Sequence, residues 1–158
     1  MRVYLDCNVY CRPLDDQSQA RIRAEAEAFL NILSVMREKE IVLLSSDILK
    51  FEVRAIPSVT KRRAVERLLE ICSAHISESN EVMNLAEFLE SECDLHGRDA
   101  IHIASAALGR AQFFLTCDEQ VVRRSSRIED VLRAKGHGLH VLNPVSFNDK
   151  VIGGHHGS

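Results

Sequence analysis

Short, nearly continuous apolar runs punctuate the chain at Val3-Tyr4-Leu5, Ile41-Val42-Leu43-Leu44, Phe113-Phe114-Leu115-Thr116 and Leu139-His140-Val141-Leu142. Runs of this length without alternation predict strands covered on both faces, as in a parallel sheet. His75-Ile76-Ser77 predicts a weaker additional strand. Between the runs, apolar residues recur at helical spacing. Ile22, Ala26, Phe29, Leu30, Leu33 and Met36 predict one helix, with Asp16 or Ser18 as its N-cap. Ser45-Ser46-Asp47 supplies caps for a second, and further helices are expected over 59–72, 82–93 and 97–108. Helical pieces follow over 119–135, stopped by Gly136. This alternation predicts an α/β fold, a three-layer α/β/α sandwich with a central parallel sheet of four to five strands.

Within that frame, acids stand at the element boundaries. Asp6 follows the first apolar run, and Asp118 lies just past the run ending in Leu115-Thr116. Ligands of open parallel sheets bind beyond the carboxyl ends of the strands, so these two carboxylates are placed to converge. Asp99 falls in the first turn of Gly97–Leu108, a helix apolar around most of its circumference except at His102 and Ser105. Glu52 lies four residues from both Ile48 and Ile56, on the apolar stripe of its own helix. A buried acid is tolerated when a cation or hydrogen-bond donors compensate it, and three further acids do not do so without a metal.

Composition narrows the classes. With 158 residues, 46% hydrophobic and 27% charged, the chain suits one domain over 1–150, followed by a flexible tail, 151–158, that carries His155 and His156. No apolar run approaches the length of a membrane span, and the first residues read as a strand rather than a signal peptide, so cytoplasmic residence is expected. The five cysteines include no Cys-x-x-Cys pair, which argues against a disulfide framework or a zinc ribbon. Cys93 and His96 are better read as a buried thiol and a surface histidine than as zinc ligands. A net charge of −3 excludes a bulk polyanion binder; nucleic acid would be held by a local patch.

Carboxylates without a convergent His/Cys set suit Mg²⁺ or Mn²⁺, and the matching chemistry is activation of water against a phosphodiester. The chain has no phosphate-binding Gly-Lys loop, no nucleophile elbow and no His-Glu-x-x-His. Taken together, Val3-Tyr4-Leu5-Asp6-Cys7-Asn8, the helix residue Glu52, Arg98-Asp99-Ala100-Ile101-His102-Ile103-Ala104, Leu115-Thr116-Cys117-Asp118 and Asn143-Pro144 resemble the PIN-domain nucleases, most closely the VapC-type toxins. The resemblance covers nearly the whole chain. It implies a PIN-like fold and a site in which Asp6, Glu52, Asp99 and Asp118 hold the metal and carry catalysis, supported by Asn8 and Thr116. It also implies Mg²⁺ or Mn²⁺ as cofactor, RNA as substrate, a homodimer and an antitoxin protein as partner.

Each residue has a plainer reading. Asn8 also suits a turn cap and Thr116 a strand end, and His102 reads as a hydrogen-bonded core histidine with no catalytic role. Arg98, Arg54 and Arg12 are candidate phosphate contacts, Arg98 foremost by adjacency to Asp99, although helical charge runs such as Lys61-Arg62-Arg63 are usually solvated. Few aromatics are available for base stacking. Two rival expectations stand beside the nuclease: a PIN-fold module that binds RNA or protein without cutting, and a phosphoryl-accepting receiver domain, which also gathers acids at strand ends.

Overall fold

The computed structural model describes residues 1–153; the tail residues 154–158, His155 and His156 among them, lie outside the described part. Five strands, β1 (Arg2–Leu5), β2 (Val42–Ser46), β3 (Ala74–Ile76), β4 (Phe113–Leu115) and β5 (His140–Leu142), form one all-parallel sheet in the order β3-β2-β1-β4-β5. Val3 pairs with Leu43 on one side and Phe113 on the other. Strand order reverses at β1, whose neighbours are β2 and β4, so the switch point lies at the carboxyl ends of β1 and β4, where Asp6 and Asp118 stand. This order also differs from the 2-1-3-4-5 order of flavodoxin-like receiver folds, which removes the receiver expectation.

Helices cover both faces. They are α1 (Cys7–Cys11), α2 (Ala20–Val35), α3 (Asp47–Arg54), α4 (Val59–Leu69), α5 (Asn80–Cys93), α6 (Gly97–Leu108), α7 (Glu119–Arg123), α8 (Ser125–Ala134) and α9 (Pro144–Phe147). The pleat sorts the strand residues between two cores. Tyr4, Leu44, Phe114 and Val141 face the layer of α5, α6 and α8, while Val3, Leu5, Leu43 and Leu115 face that of α1, α2, α4 and α9.

Some boundaries differ from the sequence reading for local reasons. Helix α1 is new: Asp6 accepts from the Cys7 amide and caps a short turn that packs Val9 and Tyr10 into the core. Helix α2 starts after Gln19 without a side-chain cap, because Asp16 instead accepts from the Ser18 amide, and Ser18 does not cap it either. At the C-terminal end the chain continues helically through Asn148–Ile152, and Ile152 is buried among the residues under α9, two positions past the expected boundary. No helix among the described residues is long and apolar enough to cross a membrane.

One tight approach fixes the end of α6. Arg2 of β1 donates to the Gly109 carbonyl through Nε at 3.0 Å and Nη2 at 2.7 Å, and a Cβ at Gly109 would stand 2.5 Å from Ile76 Cδ1 and 2.8 Å from Leu44 Cδ2. Gly109→Ala is expected to cost about 1–3 kcal/mol through overpacking, read as a lower urea midpoint; an unchanged midpoint would mean that Ile76 swings aside freely.

Candidate metal centre at the strand ends

Asp6 is 5% exposed and fully engaged. Its Oδ1 accepts from the Cys7 amide at 2.8 Å, and its Oδ2 from the Thr116 hydroxyl at 2.8 Å and from Asn8 Nδ2 at 3.3 Å. Asn8 also donates to Thr116 Oγ1 at 3.2 Å and accepts from the Cys117 amide at 3.0 Å. Asn8 and Thr116 therefore staple the ends of β1 and β4 together and orient Asp6. Burial pushes the Asp6 carboxyl up, and neighbouring Glu52 adds to this, while His102, the Thr116 hydroxyl and the Cys7 amide pull it down.

Glu52 is compensated by a residue to which the sequence assigned no site role. His102 Nε2 donates to Glu52 Oε1 at 2.6 Å and lies 3.7 Å from Asp6 Oδ1. Asp6, Glu52 and His102 each offer a potential ligand atom, and these atoms lie within 4.8 Å of one another. The chain continues inward: His102 Nδ1 is 2.7 Å from the Tyr4 hydroxyl, which is 2.5 Å from Ser46 Oγ, and Ser46 Oγ accepts from the Leu49 amide at 3.1 Å. With a neutral ring, Ser46 donates to Tyr4, Tyr4 to Nδ1 and Nε2 to Glu52, so no hydroxyl lacks an acceptor. Burial alone would lower the imidazole pKa; the Glu52 hydrogen bond and the charges of Asp6, Glu52 and Asp99 outweigh it and raise the value. His102 is thus a core histidine and a member of the acidic cluster at once.

Asp99 and Asp118 complete the constellation from the other side, lining one cleft of 270 Å³. Asp118 caps α7, its Oδ1 accepting from the Gln120 and Val121 amides at 2.9 and 3.4 Å. Asp99 is half-buried, and among the described residues no donor reaches its carboxylate. Burial first, then Asp6, Asp118 and Glu52, push its pKa up to about 6, with His102 opposing. Asp6, Asp118 and Glu52 all lie close enough to act on the Asp99 carboxylate, while the compact group among the described residues is Asp6, Glu52 and His102.

The basic candidates divide. Arg98 Nη1 lies 3.9 Å from Glu52 Oε2, and its guanidinium sits 5.5 Å from the Phe51 ring centroid, with 62% of the side chain exposed at the mouth of the site. Arg12 is spent elsewhere, donating to Glu25 at 2.8 Å and to Asp15 at 2.9 Å, so it is not a free phosphate contact. Arg54 is exposed in the last turn of α3, two residues from Glu52 and hence roughly 200° around the helix, turned away from the cleft. Lys61 is paired with Asp15 at 2.7 Å.

The donor set fits a hard divalent cation. It is dominated by carboxylate oxygens, the imidazole Nε2 is already committed to Glu52, and neither Asp99 oxygen has a donor among the described residues. Among the described residues, Cys93 and His96 belong to no metal-binding group.

No family model matches the chain, and no curated protein matches it in sequence. Solved structures do. The crystal structure of FitAcB from Neisseria gonorrhoeae matches with a TM-score of 0.56 at 16% identity, covering 90% of this chain and 97% of that one. A structure of FitAB bound to an IR36 DNA fragment matches at 0.60 and 18%, covering 90% and 95%. VapBC2 from Rickettsia felis, bound to a DNA fragment from its promoter, matches at 0.61 and 14%, covering 90% and 98%. The fold is PIN-like. Within the PIN-like sheet, Asp6 and Asp118 follow β1 and β4 at the switch point.

Proposed function

We propose that this chain is a divalent-metal-dependent ribonuclease of PIN type, acting in the cytoplasm as a homodimer and controlled by an antitoxin protein. The observation that carries the reading is Asp99: a half-buried carboxylate that no donor among the described residues reaches, facing Asp6, Glu52 and Asp118 and raised to about 6. Such crowding is unfavourable for the free protein and favourable around a cation. The likeness to FitAB and VapBC2 supports a partner chain of the antitoxin class.

Asp6, Glu52, Asp99 and Asp118 would hold Mg²⁺ or Mn²⁺. When bound, the cation supplies Lewis acidity that polarises a phosphate and lowers the pKa of water. The chain's own residues do the rest. Thr116 and Asn8 keep Asp6 aimed; His102 holds Glu52 in place at 2.6 Å. Arg98 reaches out beside Glu52 and provides the positive charge at the mouth where a phosphate of the RNA enters.

The test is cleavage of end-labelled single-stranded RNA by the purified chain with Mg²⁺ or Mn²⁺ and with EDTA. Cleavage that requires metal supports the reading. RNA that is bound and never cut under any metal condition overturns it in favour of the non-catalytic module.

A further inference from the structure

Glu25 is a buried carboxylate that neither the fold nor the proposed chemistry requires. It sits on α2 with 1% of its side chain exposed, and Arg12, Arg21 and Asn143, from different parts of the chain, all reach its carboxylate. Arg12 Nε donates to Oε1 at 2.8 Å; Asn143 Nδ2 donates to Oε2 at 2.6 Å, and Arg21 Nε lies 3.3 Å from Oε2. Asn143 in turn accepts from the Val145 amide at 2.8 Å, so the cluster also fixes the end of β5.

Arg21 extends this cluster toward the cleft. With Nε held by Glu25 one turn along α2, the rest of the guanidinium fork reaches the two residues that flank Asp118 in sequence. Nη2 donates to the Cys117 carbonyl at 2.5 Å, and Nη1 pairs with the Glu119 carboxylate. A planar, anchored fork that grips both neighbours of a residue leaves that residue's backbone little freedom. Among the described residues no side chain donates to Asp118; its carboxylate is oriented by the Gln120 and Val121 amides of a five-residue helix. Such a helix is too short to hold itself, so its placement depends on tertiary contacts.

We propose that Arg21, oriented by the buried Glu25, is a positioning residue that fixes Asp118 for cation binding. This rests on the reading of the cleft as a metal site, and the experiment separates the two. The probe is Mn²⁺ alone, titrated calorimetrically into the metal-free chain, with amide exchange at Gln120 and Val121 as a second readout. The variants are Arg21→Met and, on the same helix, Arg23→Met, which removes the same charge from a side chain that donates to the Gln17 carbonyl and, among the described residues, to nothing else. Arg21 is 45% exposed, so its replacement is compatible with folding.

Arg21→Met is expected to weaken Mn²⁺ binding about tenfold and to speed exchange at Gln120 and Val121, in line with the effect of orienting groups behind metal ligands. Simple loss of a positive charge near an acidic cleft acts in the opposite direction and tightens cation binding. Arg23→Met should therefore leave binding equal or slightly tighter, with exchange unchanged. Equal or tighter binding in Arg21→Met, or exchange no faster than in wild type, overturns the proposal. A folded wild type that takes up no Mn²⁺ overturns the metal reading instead, and the exchange rates then decide the positioning claim alone.

Discussion

Asp99→Asn is expected to abolish metal-dependent RNA cleavage, by on the order of 10²–10³-fold, and at the same time to stabilise the metal-free protein at neutral pH. The second effect follows from the raised pKa of about 6. A carboxyl whose folded pKa exceeds its unfolded value of roughly 3.9 contributes stability that is fully present below the unfolded value. That contribution is lost as pH rises through about 6. Because Asp99 is only half-buried, solvent screening reduces the repulsion to about 1–2 kcal/mol. The asparagine keeps the shape and drops the charge, so its melting point in EDTA should exceed wild type by roughly 2–8 °C at pH 7.5. The two should coincide at pH 4, where wild-type Asp99 is protonated. Melting curves at the two pH values check this, and a variant that is less stable than wild type at pH 7.5 would mean that Asp99 has a stabilising partner.

The second large effect concerns Glu52 and His102. On the sequence alone, Glu52 interrupts an apolar stripe, and leucine would fit there. In the fold, Glu52 is the acceptor for a histidine that is 1% exposed, and Glu52→Leu would leave the Nε2 proton buried without a partner. The leucine variant is expected to lose about 1–3 kcal/mol. Glu52→Gln keeps an acceptor and removes the charge, so it separates hydrogen bonding from electrostatics. His102 has a raised pKa, so its charged pairing with Glu52 stabilises the fold fully below the unfolded value near 6.5 and is lost as pH rises through the folded value. The stability gap between wild type and Glu52→Gln should therefore be larger at pH 5.5 than at pH 8.5, and the His102 ring should titrate lower in the variant. Urea midpoints and the imidazole proton shifts measure both. A gap that widens toward pH 8.5 would contradict the pairing.

These two residues also show what the sequence could and could not disclose. Buried parallel strands are continuous apolar runs, so the ends of β1 and β4, and with them Asp6 and Asp118, are legible from pattern alone. A first-turn acid on an apolar helix marks Asp99 in the same way. His102 escaped because a histidine on an apolar face has the same local signature whether it fills a core or serves a site. What distinguishes it is a second buried ionisable group, Glu52, on a helix that only the fold brings within 2.6 Å. The signal was present as two separate anomalies, and no local rule joins residues on α3 and α6.

The arginines illustrate the converse. Arg12 and Arg54 read in the sequence as candidate phosphate contacts, behind Arg98. Arg12 is instead drawn to Glu25, whose stretch Glu25-Ala26-Glu27 looks like a solvated helical face until the fold buries Glu25 and exposes Glu27. Arg54 points away by simple helical rotation, which the spacing from Glu52 already contained. Cap residues were misjudged for a third reason: Asp16 satisfies the Ser18 amide two residues on, a local bond that competes with capping of α2. Strand order could not be read at all, since β1 pairs with β4 across intervening elements that no periodicity links.

The central claim is that Asp6, Glu52, Asp99 and Asp118 share one cation. It is tested most directly by melting wild type and Asp99→Asn in parallel at pH 7, each in EDTA and in millimolar Mn²⁺. An ion that binds only the native state raises its stability with concentration, so wild type should melt several degrees higher with Mn²⁺ while Asp99→Asn hardly responds. The same Mn²⁺ shift in both proteins would contradict the claim.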